Sequence, residues 1–396
     1  MFTTRRITTM GSDIFRDEYS LSFDGSNDFV QIPDSSDFNF SNGSASIFSV
    51  SAWYKNTDST PDTYASIVAK NDTGADKREF RLSVDDNDKI VCVVSNDGST
   101  VLSNTSTFTV DDTKWHHVVM TYDGSVGTAN LRCQIYVDGV DVLTTGHASN
   151  PAILNEDDAP ITIGAHLNSG VDSGEWTGNI SDVAIYNSAL TASQVKTIYN
   201  DRKPYNHKEG VASGNLKAWY RMGDGVIDRT SLIGHGDTGG IADMSNYSLG
   251  TDVLGGKGDF SDPSYWDVSN NTEGNAESVV EGGVGKWLVT AEEEYGHIRK
   301  TSVLTENKVY LAKVTCSVNA GASVSLNFGD PYPKLIASGA TGTFTTCFLA
   351  EGTGVVLYAS PYTAAVTIDN ITVQEVSGNP GAMKNMISAD FEGDTP

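Results

Sequence analysis

The strongest constraint on what this chain can fold into is a repeated pattern. Short runs of alternating apolar and polar residues are each closed by Asp, Asn and Gly. From Tyr19 the runs are "YSLSFDGSNDFVQIP", "SIFSVSAWYKN", "YASIVAKND", "REFRLSVDD" and "KIVCVVSNDG". After them come "STFTV", "WHHVVMTYDGSVGTANLRCQIYVDGVDV", "PITIGAH" and "GNISDVAIYN". A period of two sends successive side chains to opposite faces, so each run predicts a strand and the series predicts two packed sheets. Long helical periodicities are nearly absent. The exception is "SALTASQVKTIYND", which predicts a helix with Thr191 as N-cap and Val195, Ile198 and Tyr199 along one side.

The 396 residues are enough for separate cores. Residues 1–18 are expected to be a polar arm, 19–200 a first sandwich, and 201–251 an irregular connector. Residues 252–376 are expected to be a second sandwich, with strands such as "KVYLAKVTCSV", "GTFTTCFLAE" and "AVTIDNITVQEV". Residues 377–396 are expected to be a polar tail. Both end segments are polar enough to need a partner to order them, and a neighbouring subunit is the simplest candidate.

Charge narrows the function. Acidic residues outnumber basic ones 51 to 26, a net charge of −25, so a nucleic-acid partner is disfavoured by repulsion from phosphate. No apolar run is long enough to cross a bilayer, which argues against membrane insertion. The opening "MFTTRRITTMGSDIFRDEYS" lacks the apolar core of a signal peptide, so an export route is not expected. Cys92, Cys133, Cys316 and Cys347 each sit in a strand-like run at spacings that suit neither zinc nor a redox pair, and are expected to be buried thiols, with a disulfide within each half as the alternative.

In their order, "LSFDGSNDFVQIPDS", "FSVSAWYK", "WHHVVMTYDG", "QIYVDGV", "PITIGAH" and "GNISDVAIYNSALTASQV" make residues 19–200 resemble laminin-G-like, concanavalin A-like jelly rolls. "GDFSDPSYWDVS" and "VTIDNITVQEV" make residues 252–376 similar to jelly rolls of the carbohydrate-binding-module, or galactose-binding-like, type. "LKAWYRMGDG" and "GAMKNMISADFEGDTP" resemble connectors beside laminin-G-like domains in virion proteins of tailed bacteriophages. The fold class expected is therefore all-β, two jelly-roll sandwiches joined by an irregular connector.

Several residues are candidates for chemistry. Hard cations take several oxygen ligands from turns, and "FDGSNDF" offers Asp24, Asn27 and Asp28. The first resemblance implies a structural Ca2+ using Asp28 with Asp182; the second implies Asp369, with Asp259 as partner. The same acidic residues are equally suited to capping backbone amides. Glycan binding needs aromatic faces with amide and carboxylate neighbours. Trp176, Glu175, Asp172 and Asn168 in "NSGVDSGEWTGN", Tyr64 and Asn71 around another loop, and Tyr265, Trp266 and Tyr332 in the second sandwich fit that need, although each aromatic also suits a core. Trp53, Trp115 and Trp287 lie inside alternating strands and are expected in the core. His116 and His117 are adjacent on one strand, point to opposite faces, and are expected to be structural.

No enzyme is expected. The Glu-x-Asp-x-x-Glu strand that would place the carboxylates of a retaining hydrolase is missing, as are nucleophile-elbow, zinc-helix and phosphate-loop motifs. The expected role is a structural protein on the exterior of a tailed-phage virion, a capsid fibre, spike, decoration or tail component, assembled in the host cytoplasm. It would pack against other virion proteins, form a homotrimer by analogy with phage spikes, and bind host-surface polysaccharide. The alternatives are a bacterial surface adhesin or a glycan-binding accessory module, and then a glycan hydrolase or lyase.

Overall fold

The computed structural model describes residues 17–41, 43–58, 64–110, 112–143, 145–225, 239–269, 276–289, 297–328, 334–360, 366–386 and 390–396. The alternating runs form strands where the pattern predicts. In chain order they begin with β1 (Ser20–Asp24), β2 (Phe29–Ile32), β3 (Ile47–Asn56), β4 (Ala65–Asp72) and β5 (Lys77–Val84). Next are β6 (Lys89–Val94), β7 (Leu102–Thr109), β8 (Trp115–Asp123), β9 (Cys133–Val137) and β10 (Val140–Asp141). Then come β11 (Ile161–Ile163), β12 (His166–Asn168), β13 (Val171–Ser173) and β14 (Thr177–Tyr186), followed by helix α1 (Ala192–Tyr199). The helix starts at a capping box between Thr191 and Gln194 and buries Val195 and Ile198, as its sequence implies.

These strands build two facing sheets. The core between them packs Phe48, Phe80 and Tyr122 with Leu21, Val30, Met120, Ile163 and Ile180. Phe48 stacks 4.8 Å from Phe40 and 4.9 Å from Phe80, within the range of favourable aromatic pairs. In the first sheet the order is β9-β8-β3-β14-β1. Its outer face is covered by α1 and the segment after it: Val119, Tyr136, Ala184 and Tyr186 pack on Val195, Ile198 and Trp219. His116 and His117 do point opposite ways. His116 bonds Asp138 and Asp112 at 2.9 Å each, and His117 bonds the Ser51 hydroxyl at 2.8 Å.

The connector and the tail depart from expectation. Among its described residues, segment 201–251 supplies β15 (Leu216–Tyr220), paired with β14, β16 (Gly239–Ile241), and the start of a strand of the second sandwich at Ser248. A bulge on β14 makes room: Thr177–Ile180 pair with β1, Val183–Tyr186 run beside β15, and Asp182 turns between them at φ +50°. The second sandwich then folds as two sheets. One holds β17 (Ser248–Asp252), β19 (Ala276–Glu281), β20 (Val284–Val289), β22 (Val309–Val318), β25 (Thr341–Leu349) and β27 (Val366–Ser377). The other holds β18 (Asp267–Ser269), β21 (His297–Lys300), β23 (Ser323–Asn327), β24 (Lys334–Ser338) and β26 (Val355–Ser360). Phe260, Tyr310, Leu326, Phe348 and Ile368 fill its core.

After β27 the chain returns to the first sandwich. β28 (Gly381–Lys384) inserts between β16 and β2, and β29 (Phe391–Glu392) adds to β1. Residues 377–396 are therefore not a free tail. Met383 and Met386 enter the first core, and Asp394 takes the Lys55 ammonium and the Trp115 indole N–H. Trp115, expected in the core, stands half-buried at the end of β8 against this segment. Trp53 is buried, but on the outer face beside His117 and Tyr199, and the Trp287 side chain lies outside the described residues. All four cysteines are buried free thiols, as expected.

The second sheet of the first unit runs β16-β28-β2-β11-β4-β5-β6-β7, with the β12–β13 hairpin beside β4. At its β28 end the outer face receives the second sandwich, where Ala242 and Ala382 pack on Val309, Leu311, Cys347 and Val376. Further along that face the described apolar residues form only the small cluster Phe29, Ala165 and Leu167.

Candidate functional site

That face carries a register row, Gln31–Thr162–Ala69–Arg81–Val93–Ser103, one residue from each of six adjacent strands. Their strand neighbours Ile161, Ile163, Phe80, Leu82, Cys92 and Val94 point into the core, so alternation turns this row outward. Thr162, Ala69 and Val93 of this row are buried.

Arg81 is only 6% exposed. Its guanidinium lies 4.6 Å from the centroid of the Tyr64 ring, a cation–π distance. Among the described residues it has no hydrogen-bond or ion-pair partner, and its Nε is buried and unsatisfied. Burial pulls its pKa down to about 10, Tyr64 opposing and Arg78 adding to the effect, so it stays charged at neutral pH. Two further buried atoms nearby lack partners: the hydroxyl of Ser83, two residues along β5 on the same face, and Oδ1 of Asn71 on β4. Tyr64 is 38% exposed and sits at φ +71°, a conformation bulky residues adopt only where the surroundings enforce it.

Ser66 and the hairpin fix the frame. The Ser66 hydroxyl donates to the Tyr64 carbonyl at 3.0 Å, so at 3.1 Å it accepts from Nδ1–H of His166. Burial, then Arg81 and Arg78, hold His166 down at about 3, so the imidazole is neutral. Gly174 (φ +60°) closes the hairpin because a Cβ there would come within 2.6 Å of the His166 ring. The Asp72 carboxylate accepts from the amides of Ser169 (2.6 Å) and Gly170 (2.9 Å), tying the β12–β13 turn to β4.

Tyr64 thus meets Arg81, while Asn71 lies further along β4 opposite Arg78, with Asn168 exposed and Glu175 half-buried near the β12–β13 hairpin. Trp176 does not serve as a stacking surface. It is 1% exposed, its ring meets Tyr54 edge-on at 5.6 Å, and it belongs to the core. Trp266 is likewise a core residue, stacked on Phe260 at 5.0 Å with its N–H donated to the Lys257 carbonyl. Tyr265 is half-buried under the Lys300 ammonium, 4.2 Å from its ring. Tyr332 lies outside the described residues. Arg81, Ser83 and His166 went unrecognised as site residues. The signal was a charged residue in the middle of "REFRLSV", facing away from Phe80 and Leu82.

The expected metal ligands do not converge. Asp24 and Asp28 share one turn, where Asp28 accepts from the Asp24 amide at 3.1 Å. Burial chiefly raises Asp28 to about 7. Asp182 lies five residues beyond Thr177, the partner of Asp24, or about 16 Å along β14 at roughly 3.3 Å per residue. Its carboxylate is occupied. Oδ2 accepts from Nε2 of His207 at 3.1 Å, Oδ1 accepts from the Trp219 indole at 2.5 Å, and the Tyr186 hydroxyl donates to Nδ1 of His207 at 2.5 Å. Burial would raise Asp182, but His207 and Trp219 hold it below the usual carboxylate value. Its role is to anchor the connector. In the second sandwich Asp259 is exposed and accepts from Ser261, while Asp369 is exposed on β27. Among the described residues no group of three or more His, Cys, Asp or Glu side chains is placed to hold a metal ion. No helix among them is long and apolar enough to cross a membrane.

Comparison with known proteins follows this geometry. Residues 24–196 match the Laminin_G_3 family, described as the concanavalin A-like lectin/glucanases superfamily. No curated protein matches the chain. A putative carbohydrate binding protein from Bacteroides ovatus is similar in structure at 17% identity and a TM-score of 0.41, over 58% of this chain and 56% of that one. A heptameric SAP-like pentraxin from Limulus polyphemus has 16% identity and a TM-score of 0.35, over 46% of this chain and 82% of that one. The Ruminococcus gnavus IT-sialidase CBM40 has 11% identity and a TM-score of 0.32, over 46% of this chain and 97% of that one.

Proposed function

We propose that this chain, whose residues 24–196 form a concanavalin A-like jelly roll, is a non-catalytic glycan-binding protein. On this reading it binds through the outer face of the sheet that carries Arg81. One observation carries the proposal: a part-exposed aromatic ring, Tyr64, stands against the Arg81 guanidinium, whose buried Nε has no partner within the described residues, nor has the Ser83 hydroxyl two residues along β5. Sugars present C–H faces to such rings and hydroxyls to such atoms. The missing hydrolase strand motif supports the non-catalytic part.

The proposed setting is the outside of a tailed-phage particle, with homotrimeric assembly by analogy. It is supported by the resemblance of "LKAWYRMGDG" and "GAMKNMISADFEGDTP" to virion connectors. The second of these segments is folded onto its own chain, so it is not the arm for clasping neighbours.

The test is retention of the full chain on a panel of immobilised bacterial polysaccharides, with Tyr64→Ala alongside. The parent should be retained on at least one, and the variant should lose about ten-fold or more in affinity while keeping its melting temperature. Retention of the variant equal to the parent would refute the site; no retention of the parent would refute the function. Release of reducing ends from a retained polysaccharide would refute the non-catalytic reading.

A further inference from the structure

We propose that Arg81 receives the carboxylate of an acidic sugar, so that the glycan bound on this face is a uronate- or sialate-type glycan rather than a neutral one. The inference rests on the glycan-binding reading above and names its ligand class.

Lys70 and Arg81 are the two fully buried lysine or arginine side chains among the described residues. They are treated differently. The Lys70 ammonium is neutralised by Glu79 at 2.8 Å, the Asp157 carbonyl at 2.6 Å and Asp34 at 3.5 Å. Arg78, the other cation on this face, is saturated by the carbonyls of Thr73, Gly98 and Ser99 and by Asp76. Among the described residues Arg81 has only the Tyr64 ring.

Acids outnumber bases two to one in this chain, 51 to 26, so the unpaired state of Arg81 does not reflect a shortage of carboxylates. The nearby Asp72 is committed to two backbone amides. A buried guanidinium without an anion is costly to hold, and persists where something other than folding requires it.

The surroundings specify the ligand. The guanidinium is a planar fork that matches a carboxylate with two parallel hydrogen bonds. With Arg78 already saturated and His166 neutral, the site has one uncommitted positive charge, which suits a singly charged group better than a phosphate dianion. Ser83 can donate or accept, and Tyr64 offers a ring face for sugar C–H groups. A carboxylate beside a hydroxyl and an apolar ring face describes an acidic sugar.

The test is isothermal titration of the full chain with tetragalacturonate, a hyaluronan tetrasaccharide and N-acetylneuraminic acid, each against its carboxyl-reduced counterpart, with a sulfated tetrasaccharide as a further arm. At least one acid should bind, and its reduced form should bind about ten-fold or more weakly, the loss expected for a charged hydrogen-bonded pair. Arg81→Met and Arg81→Gln should erase that preference while the melting temperature holds or rises, because an uncompensated buried charge is gone. Arg81→Lys should keep the fold and lose affinity, since it retains the charge but not the fork.

Equal binding of acid and reduced forms would overturn the assignment and leave the glycan-binding reading standing. So would preference for the sulfated probe alone, or an undiminished preference in Arg81→Met. If all three variants unfold the protein, Arg81 is structural and the proposal fails. If no probe binds although polysaccharides retain the chain, the acidic-sugar assignment falls alone; if nothing binds in either assay, both fall.

Discussion

Met383→Ala tests whether the C-terminal return belongs to the first sandwich. Met383 is 1% exposed, lies in β28 opposite Val30 of β2 and Gly239 of β16, and belongs to the same core as Phe48 and Tyr122. Truncating a buried methionine to alanine costs about 2–5 kcal/mol, from the lost transfer of its side chain and the cavity left behind. A loss of about 3 kcal/mol in a unit of this size lowers the melting temperature by roughly 6–12 °C. A methionine on a detachable polar tail would change stability by less than about 0.5 kcal/mol. Differential scanning calorimetry of the full chain, with Val171→Ala as a control at a well-exposed position, separates these outcomes. Hydrogen exchange at β2 assigns the shifted transition to the first unit. A first-unit transition that stays with the control would refute the placement of β28 and the insertion topology with it.

Two further expectations concern buried polar groups. Burial, with His207 adding, depresses His117 to about 3, so the folded chain refuses a proton that the unfolded chain takes below about 6.5. The stabilisation this provides at neutral pH is lost as pH falls from about 6.5 towards 3. Between pH 7 and 5 the parent should lose about 2 kcal/mol more than His117→Gln in urea titrations, and parallel pH profiles would count against it. Asp182→Ala should cost about 3–5 kcal/mol, because it strands His207 and the Trp219 N–H in a buried site. That cost should be the same in calcium and in chelator, and a loss seen only with calcium would restore the metal reading of Asp182.

Much of the fold was legible because alternation reports burial directly. "SVSAWYK" and "HHVVMTY" sit one beside the other in β3 and β8, and the Thr191–Gln194 cap falls where its residue types predict. The second visit to the first sandwich was not legible. "GAMK" has no alternation to read, and a strand that short is selected by open backbone edges on β2 and β16, which only the assembled sheet provides. Trp176 was misplaced because its Gly- and Asp-rich neighbours read as surface loop. Its position is decided by the ring of Tyr54, distant in sequence, and by the hydrogen bond its backbone N–H donates to the Gly164 carbonyl. The Asp28–Asp182 pairing came from the family resemblance, and the bulge at Asp182 sends that carboxylate to the connector instead. Arg81 was visible as a charge within a strand, but its lack of a partner is a property of the whole face.

The placement of β28 and β29 has a consequence for biosynthesis. At about 5–20 residues per second, β28 leaves the ribosome roughly 20–70 s after β2, since about 350 residues separate them. During that interval the nascent first sandwich has unpaired edges at β1 and β2, and the second sandwich completes only at its close, since β27 ends at Ser377, just before β28 begins at Gly381. A young copy in a crowded polysome could take the trailing strands of its neighbour in place of its own, and strand-exchanged dimers would be the characteristic misassembly of this chain.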